Sequence, residues 1–121
     1  MIGYITLGTN DILRAAKFYD ELLAGMGAKR AMESERFIAW SNGSGPMLCV
    51  IKPFNEQASS GGNGTMVALA PGSTAKVDEL HKKALSLGAK DEGAPGPRGD
   101  GGFYAGYLRD LDGNKLAFFN M

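Results

Sequence analysis

The side chains able to do chemistry are few and far apart in the chain. His81 is the only histidine and Cys49 the only cysteine. A nucleophilic cysteine needs a base or a positive environment to lower its pKa, and His81 is not placed by sequence to supply one. Cys49 therefore reads as a buried, inert thiol. His81, in Leu80-His81-Lys82 between Val77 and Ala84, reads as a helix-face or packing residue. Asp110 and Asp112 stand close enough to suggest calcium. The turn Asp110-Leu111-Asp112-Gly113-Asn114, however, needs side-chain oxygens for its own backbone, with Arg109 beside it to pin it. Arg98 is the charged residue best suited to a ligand, because a guanidinium beside an apolar pocket can hold a carboxylate or phosphate at two points. The competing reading is a solvated loop arginine. Arg98-Gly99-Asp100 spells an adhesion tripeptide, and glycine recurs at every third position from Gly93 to Gly102. Three such triplets cannot build a collagen helix, and a mobile loop beside a site is the expected use of this stretch.

The elements that must position these residues follow from pattern. Residues 2-8 read as a strand ending at Gly8. A helix follows, capped by Asn10 or Asp11, with Ala15, Phe18, Tyr19, Leu22 and Met26 at helical spacing before Gly25 and Gly27. Strands are expected at 28-33, 36-41 and 46-52. After a glycine- and serine-rich linker at about 59-63 the order repeats: a strand at 65-70, a helix from Ser73 to Gly88, and strands at about 89-92, 103-109 and 114-119. The two halves also match residue by residue at nearly constant spacing. Leu23-Ala24-Gly25-Met26-Gly27-Ala28-Lys29 faces Ala84-Leu85-Ser86-Leu87-Gly88-Ala89-Lys90, Ile5-Thr6-Leu7 faces Val67-Ala68-Leu69, and Gly45-Pro46-Met47-Leu48-Cys49 faces Gly113-Asn114-Lys115-Leu116-Ala117. The expectation is an α+β fold of two tandem βαβββ modules, about 1-58 and 64-121, within one domain of 121 residues, forming a curled mixed sheet around a shared cleft.

Composition narrows the partners. Basic and acidic residues number 13 each, so no nucleic-acid footprint is present. No apolar run approaches the roughly 20 residues of a membrane-spanning helix, and the opening residues lack a signal-peptide plan. A cytoplasmic location, with neither a membrane nor a nucleic-acid partner, is expected.

Three stretches resemble the vicinal oxygen chelate superfamily, which includes glyoxalase I, bleomycin-resistance proteins and extradiol dioxygenases. They are Met1-Ile2-Gly3-Tyr4-Ile5-Thr6-Leu7-Gly8, Ala16-Lys17-Phe18-Tyr19-Asp20, and the run from Phe103 to Leu116 that contains Leu108-Arg109-Asp110-Leu111-Asp112-Gly113-Asn114. The resemblance implies the glyoxalase/bleomycin-resistance fold and a tendency to form homodimers. It also implies that metal ligands, where members carry them, lie on the first and last strand of each module. Those positions here are Tyr4, Cys49, Met66 and Ala117. None offers the imidazole or carboxylate that a divalent metal would need.

With those positions neutral, the cleft is expected to be apolar and aromatic, lined by Tyr4, Trp40, Cys49, Met66, Arg98, Tyr104, Tyr107 and Ala117, with Phe37 a further candidate. Alternation puts Tyr4 and Thr6 on one face of the first strand and Ile5 and Leu7 on the other, and Met66 and Ala68 follow the same logic. The aromatic residues have a competing reading as core. The functional expectation is a small-molecule-binding module with no metal or other cofactor. One alternative is a metal-dependent lyase or dioxygenase of the glyoxalase type, with its metal held in an unforeseen way. Another is a structural subunit without a ligand.

Overall fold

The computed structural model describes all residues, 1–121. Its elements run β1 (Tyr4–Gly8), α1 (Ile12–Ala24), β2 (Lys29–Glu33), β3 (Phe37–Ser41) and β4 (Met47–Ile51). The order then repeats as β5 (Val67–Leu69), α2 (Thr74–Ser86), β6 (Lys90–Pro97), β7 (Tyr104–Arg109) and β8 (Lys115–Asn120). The chain divides into two compact units, Met1–Gly61 and Gly62–Met121. Each holds one helix and one open four-stranded mixed sheet, in the orders β1-β4-β3-β2 and β5-β8-β7-β6. In each, the first strand pairs parallel with the last, and the other pairs are antiparallel.

The duplication extends to how the helices start and stop. Asp11 and Ser73 cap α1 and α2 by accepting from Arg14 N and Lys76 N, each at 3.1 Å. Both helices close with the same pair of bonds around a left-handed glycine. Ala28 N and Ala89 N donate to Leu23 O and Ala84 O, each at 3.0 Å, while Gly27 (φ 71°) and Gly88 (φ 104°) donate to Ala24 O and Leu85 O. Only glycine takes that conformation without a Cβ penalty.

In the first unit α1 packs on β2, β3 and β4. Its buried Ala15, Phe18, Tyr19, Leu22 and Leu23 share a core with Leu7, Ile38, Trp40, Leu48 and Val50. Trp40 thus belongs to the helix side of the sheet and not to the opposite face. Its ring lies 5.6 Å from that of Tyr19, and its Nε1 donates to Asp20 Oδ1 at 2.9 Å. Asp20 also accepts from Arg30 Nε and Nη2 at 2.9 and 2.7 Å. The Arg30 hydrogen bonds outweigh partial desolvation and hold the Asp20 carboxyl below its ordinary range, with the Trp40 bond helping. A carboxyl depressed on folding stabilises the protein above its unfolded pKa, and that contribution is lost as pH falls through the folded value. Because the pair is largely solvent-exposed, Asp20→Asn should cost less than about 2 kcal/mol at pH 7. The difference between the two proteins should shrink below about pH 4, which thermal melts across pH would read.

In the second unit α2 packs on β6, β7 and β8. Its buried Val77, Leu80 and Ala84 form a core with Val67, Leu108, Leu116 and Phe118. Tyr104 points toward this helix, donating its hydroxyl to Asp78 Oδ1 at 2.6 Å. That acceptor pushes the phenol pKa up, and it removes Tyr104 from the face opposite the helix. The strand expected at 89-92 runs on to Pro97, into the stretch read as loop. Register breaks between Asp91 and Gly93 and between Gly93 and Gly96 absorb the irregular residues. Gly96 and Pro97 still pair with Ala105 and Tyr104, and Arg98 N donates to Phe103 O at 2.8 Å to close a short hairpin tip. Gly106 permits close packing, since a Cβ there would lie 2.9 Å from Pro95 Cγ and 3.1 Å from His81 Cδ2.

Candidate functional site

Each sheet has one face covered by its helix and one facing away. On the first sheet the register sets a row across the strands: Thr6 opposite Cys49, Cys49 opposite Ala39, and Ala39 opposite Met32. Tyr4 pairs with Met47 at one side of this row and Phe37 with Ile51 at the other. Small side chains at the centre, Cys49 and Ala39, and long ones around them leave a hollow of about 320 Å³. It is lined by Tyr4, Thr6, Met32, Phe37, Ala39, Met47, Cys49 and Ile51. The lining is almost wholly apolar, and the volume falls at the lower end of the range for small-molecule pockets. Tyr4 is 65% exposed at its rim. Burial pushes the Cys49 thiol pKa up, so at neutral pH it is a neutral apolar group on the floor and not a nucleophile.

The second sheet repeats the plan with different chemistry. The row equivalent to Thr6-Cys49-Ala39 is Ala68-Ala117-Tyr107. Met66, just before β5 and in alternation with Ala68, is exposed. Arg98 Cζ sits 5.3 Å from the Tyr107 ring centroid, and Lys115 Nζ lies 5.6 Å from it. Arg98 also donates through Nη2 to Ala94 O at 2.7 Å and through Nη1 to Pro97 O at 3.3 Å. Its guanidinium is therefore folded onto its own hairpin, a poor presentation for an adhesion tripeptide.

Of the residues singled out by sequence, Tyr4, Phe37 and Cys49 share the first open face, and Met66, Arg98, Tyr107 and Ala117 share the second. Trp40, buried, and Tyr104, part-exposed, lie on the helix sides of their sheets. Thr6 was placed on the face of Tyr4 by alternation but not named as lining, and Met32, Met47 and Lys115 were not singled out. Met47 and Lys115 stand two residues before Cys49 and Ala117, so strand alternation was the signal that could have found them.

The remaining polar residues serve structure. His81 is 4% exposed, and its Nε2 lies 3.1 Å from Tyr107 O and 3.2 Å from Asp91 Oδ1. Both are acceptors, which puts the proton on Nε2. Asp110 accepts from Asp112 N, Asn114 N and Asn114 Nδ2, each at 2.9 Å. Arg109 braces the turn, donating to Gly113 O and to Glu92 Oε1, each at 3.0 Å. Tyr4, Cys49, Met66 and Ala117, the positions that the sequence resemblance singles out, carry a phenol, a thiol, a thioether and a methyl group, and nowhere do three or more His, Cys, Asp or Glu side chains gather into a potential metal cluster.

A solved structure described as a glyoxalase/bleomycin resistance protein from Albidiferax ferrireducens T118 superposes with a TM-score of 0.91. It is 29% identical, over 100% of this chain and 98% of that one. A glyoxalase/bleomycin resistance protein/dioxygenase family enzyme from Burkholderia phytofirmans PsJN is 19% identical with a TM-score of 0.77, over 98% and 96% of the two chains. Lactoylglutathione lyase from Agrobacterium tumefaciens is 21% identical with a TM-score of 0.72, over 98% and 92%. At those identities the latter two speak to the fold alone. No curated protein matches the chain at a significant level. The family profile covers residues 1–118, and with the repeated βαβββ units it assigns the chain to the Glyoxalase/Bleomycin resistance protein/Dioxygenase superfamily.

Proposed function

We propose that this superfamily member binds a small, amphipathic or partly aromatic molecule on its open sheet faces and does so without a metal. The observation that carries the reading is the apolar hollow of about 320 Å³ around Cys49 and Ala39, rimmed by Tyr4, Met32 and Phe37. Apolar contact supplies most of the affinity in such a site, and a few polar groups fix orientation. Two further features support the reading: the neutral Cys49 thiol and the lack of any cluster of metal-binding side chains. Self-association as a homodimer belongs to the same proposal, supported by the exposed apolar residues Ile2, Tyr4, Met32 and Met66. A cytoplasmic setting is consistent with a free, buried cysteine. No helix is long and apolar enough to cross a membrane.

The test is a thermal-shift screen of chelator-treated protein against amphipathic compounds, repeated with Ni, Zn, Mn or Fe(II). A ligand at a hundred times its Kd should stabilise the fold by about 2.7 kcal/mol, equally with and without metal. Stabilisation or turnover that appears only when metal is added would overturn the proposal.

A further inference from the structure

We infer that the hollow of the first unit selects for an uncharged aromatic ligand, and that an irregularity in β2 enforces this by turning Arg30 to the other side of the sheet. The inference rests on the reading of the open faces as ligand-binding and specifies the charge of the ligand. No residue lining the hollow carries a charge, and its polar side-chain atoms are the hydroxyls of Tyr4 and Thr6 and the Cys49 thiol. Residues two apart in a regular strand share a face, so alternation counted back from Met32 would bring Arg30 onto the open face as well. The register breaks between the two residues. Met32 pairs with Ala39 on the open side, whereas Arg30 pairs with Trp40 on the helix side. There Arg30 is held by Asp20 and Glu33, each at 2.7 Å. Lys29, paired with Ser41 further along β3, is outside the lining.

An ion entering such a hollow gives up part of its hydration without meeting a counter-charge, a cost that a neutral molecule of the same shape avoids. In place of charge the lining offers sulfur, from Met32, Met47 and the neutral Cys49 thiol. Thioethers pack favourably against aromatic rings, and the unbranched methionine side chain adapts to their outline. Phe37 adds a ring to the same wall. The ligand class is therefore a small uncharged aromatic molecule whose polar group can bond to the hydroxyl of Thr6 or Tyr4.

Isothermal titration with 2-naphthamide, 2-naphthoate and 2-naphthamidinium, which share a shape and differ in charge, tests this. Thr6→Trp marks which binding takes place in the hollow. The amide should bind there at least about tenfold tighter than either ion, as the uncompensated loss of ionic hydration requires. Met32→Lys puts a cation into the lining at an exposed position of an edge strand, where lysine is well tolerated. It should reverse the order of amide and naphthoate, while Lys29→Gln should leave all three affinities unchanged. Either ion binding in the hollow as tightly as the amide overturns the inference but leaves the binding reading standing, and so does amide binding that Thr6→Trp leaves intact. An order that Met32→Lys does not alter, or that Lys29→Gln does, also overturns the inference alone. Binding of none of the three overturns both.

Discussion

Asp110→Ala should destabilise the protein by about 3 kcal/mol, since three charge-assisted bonds vanish, two of them to a buried residue. Asp110 is 6% exposed and Asn114 4%. Removing the carboxylate takes away the acceptor of Asn114 N and Nδ2, in a buried residue, and of the part-buried Asp112 N. The turn it organises sets the register of β7 against β8, through Asp110 N donating to Asn114 O and the Arg109–Lys115 pairing. In a chain of this size, a loss of about 3 kcal/mol lowers Tm by about 10 °C. Asp110→Asn keeps acceptors for the two backbone donors but turns an amide against Asn114 Nδ2, so it should cost roughly half as much. Urea melts of the two variants check this. An Asp110→Ala protein within 1 kcal/mol of the parent, by the ~1 kcal/mol scale of ordinary substitutions, would contradict the structural role given to the turn.

Filling the hollow of the first unit should have the largest effect on ligand binding. Thr6 lies on edge strand β1, directly opposite Cys49, and its side chain is exposed at the hollow. Thr6→Trp puts an indole where the ligand's apolar part would sit, while tryptophan suits a half-exposed strand position. Affinity for an amphipathic ligand should fall at least about thirtyfold, the equivalent of losing about 2 kcal/mol of apolar contact. Stability should change by less than about 1 kcal/mol. Unchanged affinity in a folded Thr6→Trp protein would show that the ligand does not use this face.

The sequence made some of this legible, and the reasons are physical. The βαβββ repeat could be read because caps, left-handed glycines and apolar spacing recur at matching places in both halves. Asp11 and Ser73, and Gly27 and Gly88, play the same parts. Strand alternation separated Tyr4 and Thr6 from Ile5 and Leu7 correctly, because only one set is apolar throughout. Alternation gives no such separation at Phe37-Ile38-Ala39-Trp40, where both faces are apolar. There the orientation of Trp40 depends on Asp20, a partner twenty residues away in α1. The side taken by Tyr104 was hidden for a related reason, since the acceptor Asp78 lies on α2. The extent of β6 was hidden because glycine and proline normally end strands. Here bulges at Gly93 let pairing resume at Gly96. Alternation places Lys115 on the face of Ala117, but its approach to Tyr107 is a diagonal contact across paired strands, visible only once the register is known.

The most direct test of metal-free binding at the open faces is an amide chemical-shift map of chelator-treated protein titrated with an amphipathic ligand found by thermal shift. The account predicts saturable shifts in residues 4–6, 37–39 and 47–51, which surround the hollow. Shifts confined to the helix side near Trp40 or His81, or seen only after a divalent metal is added, would contradict it.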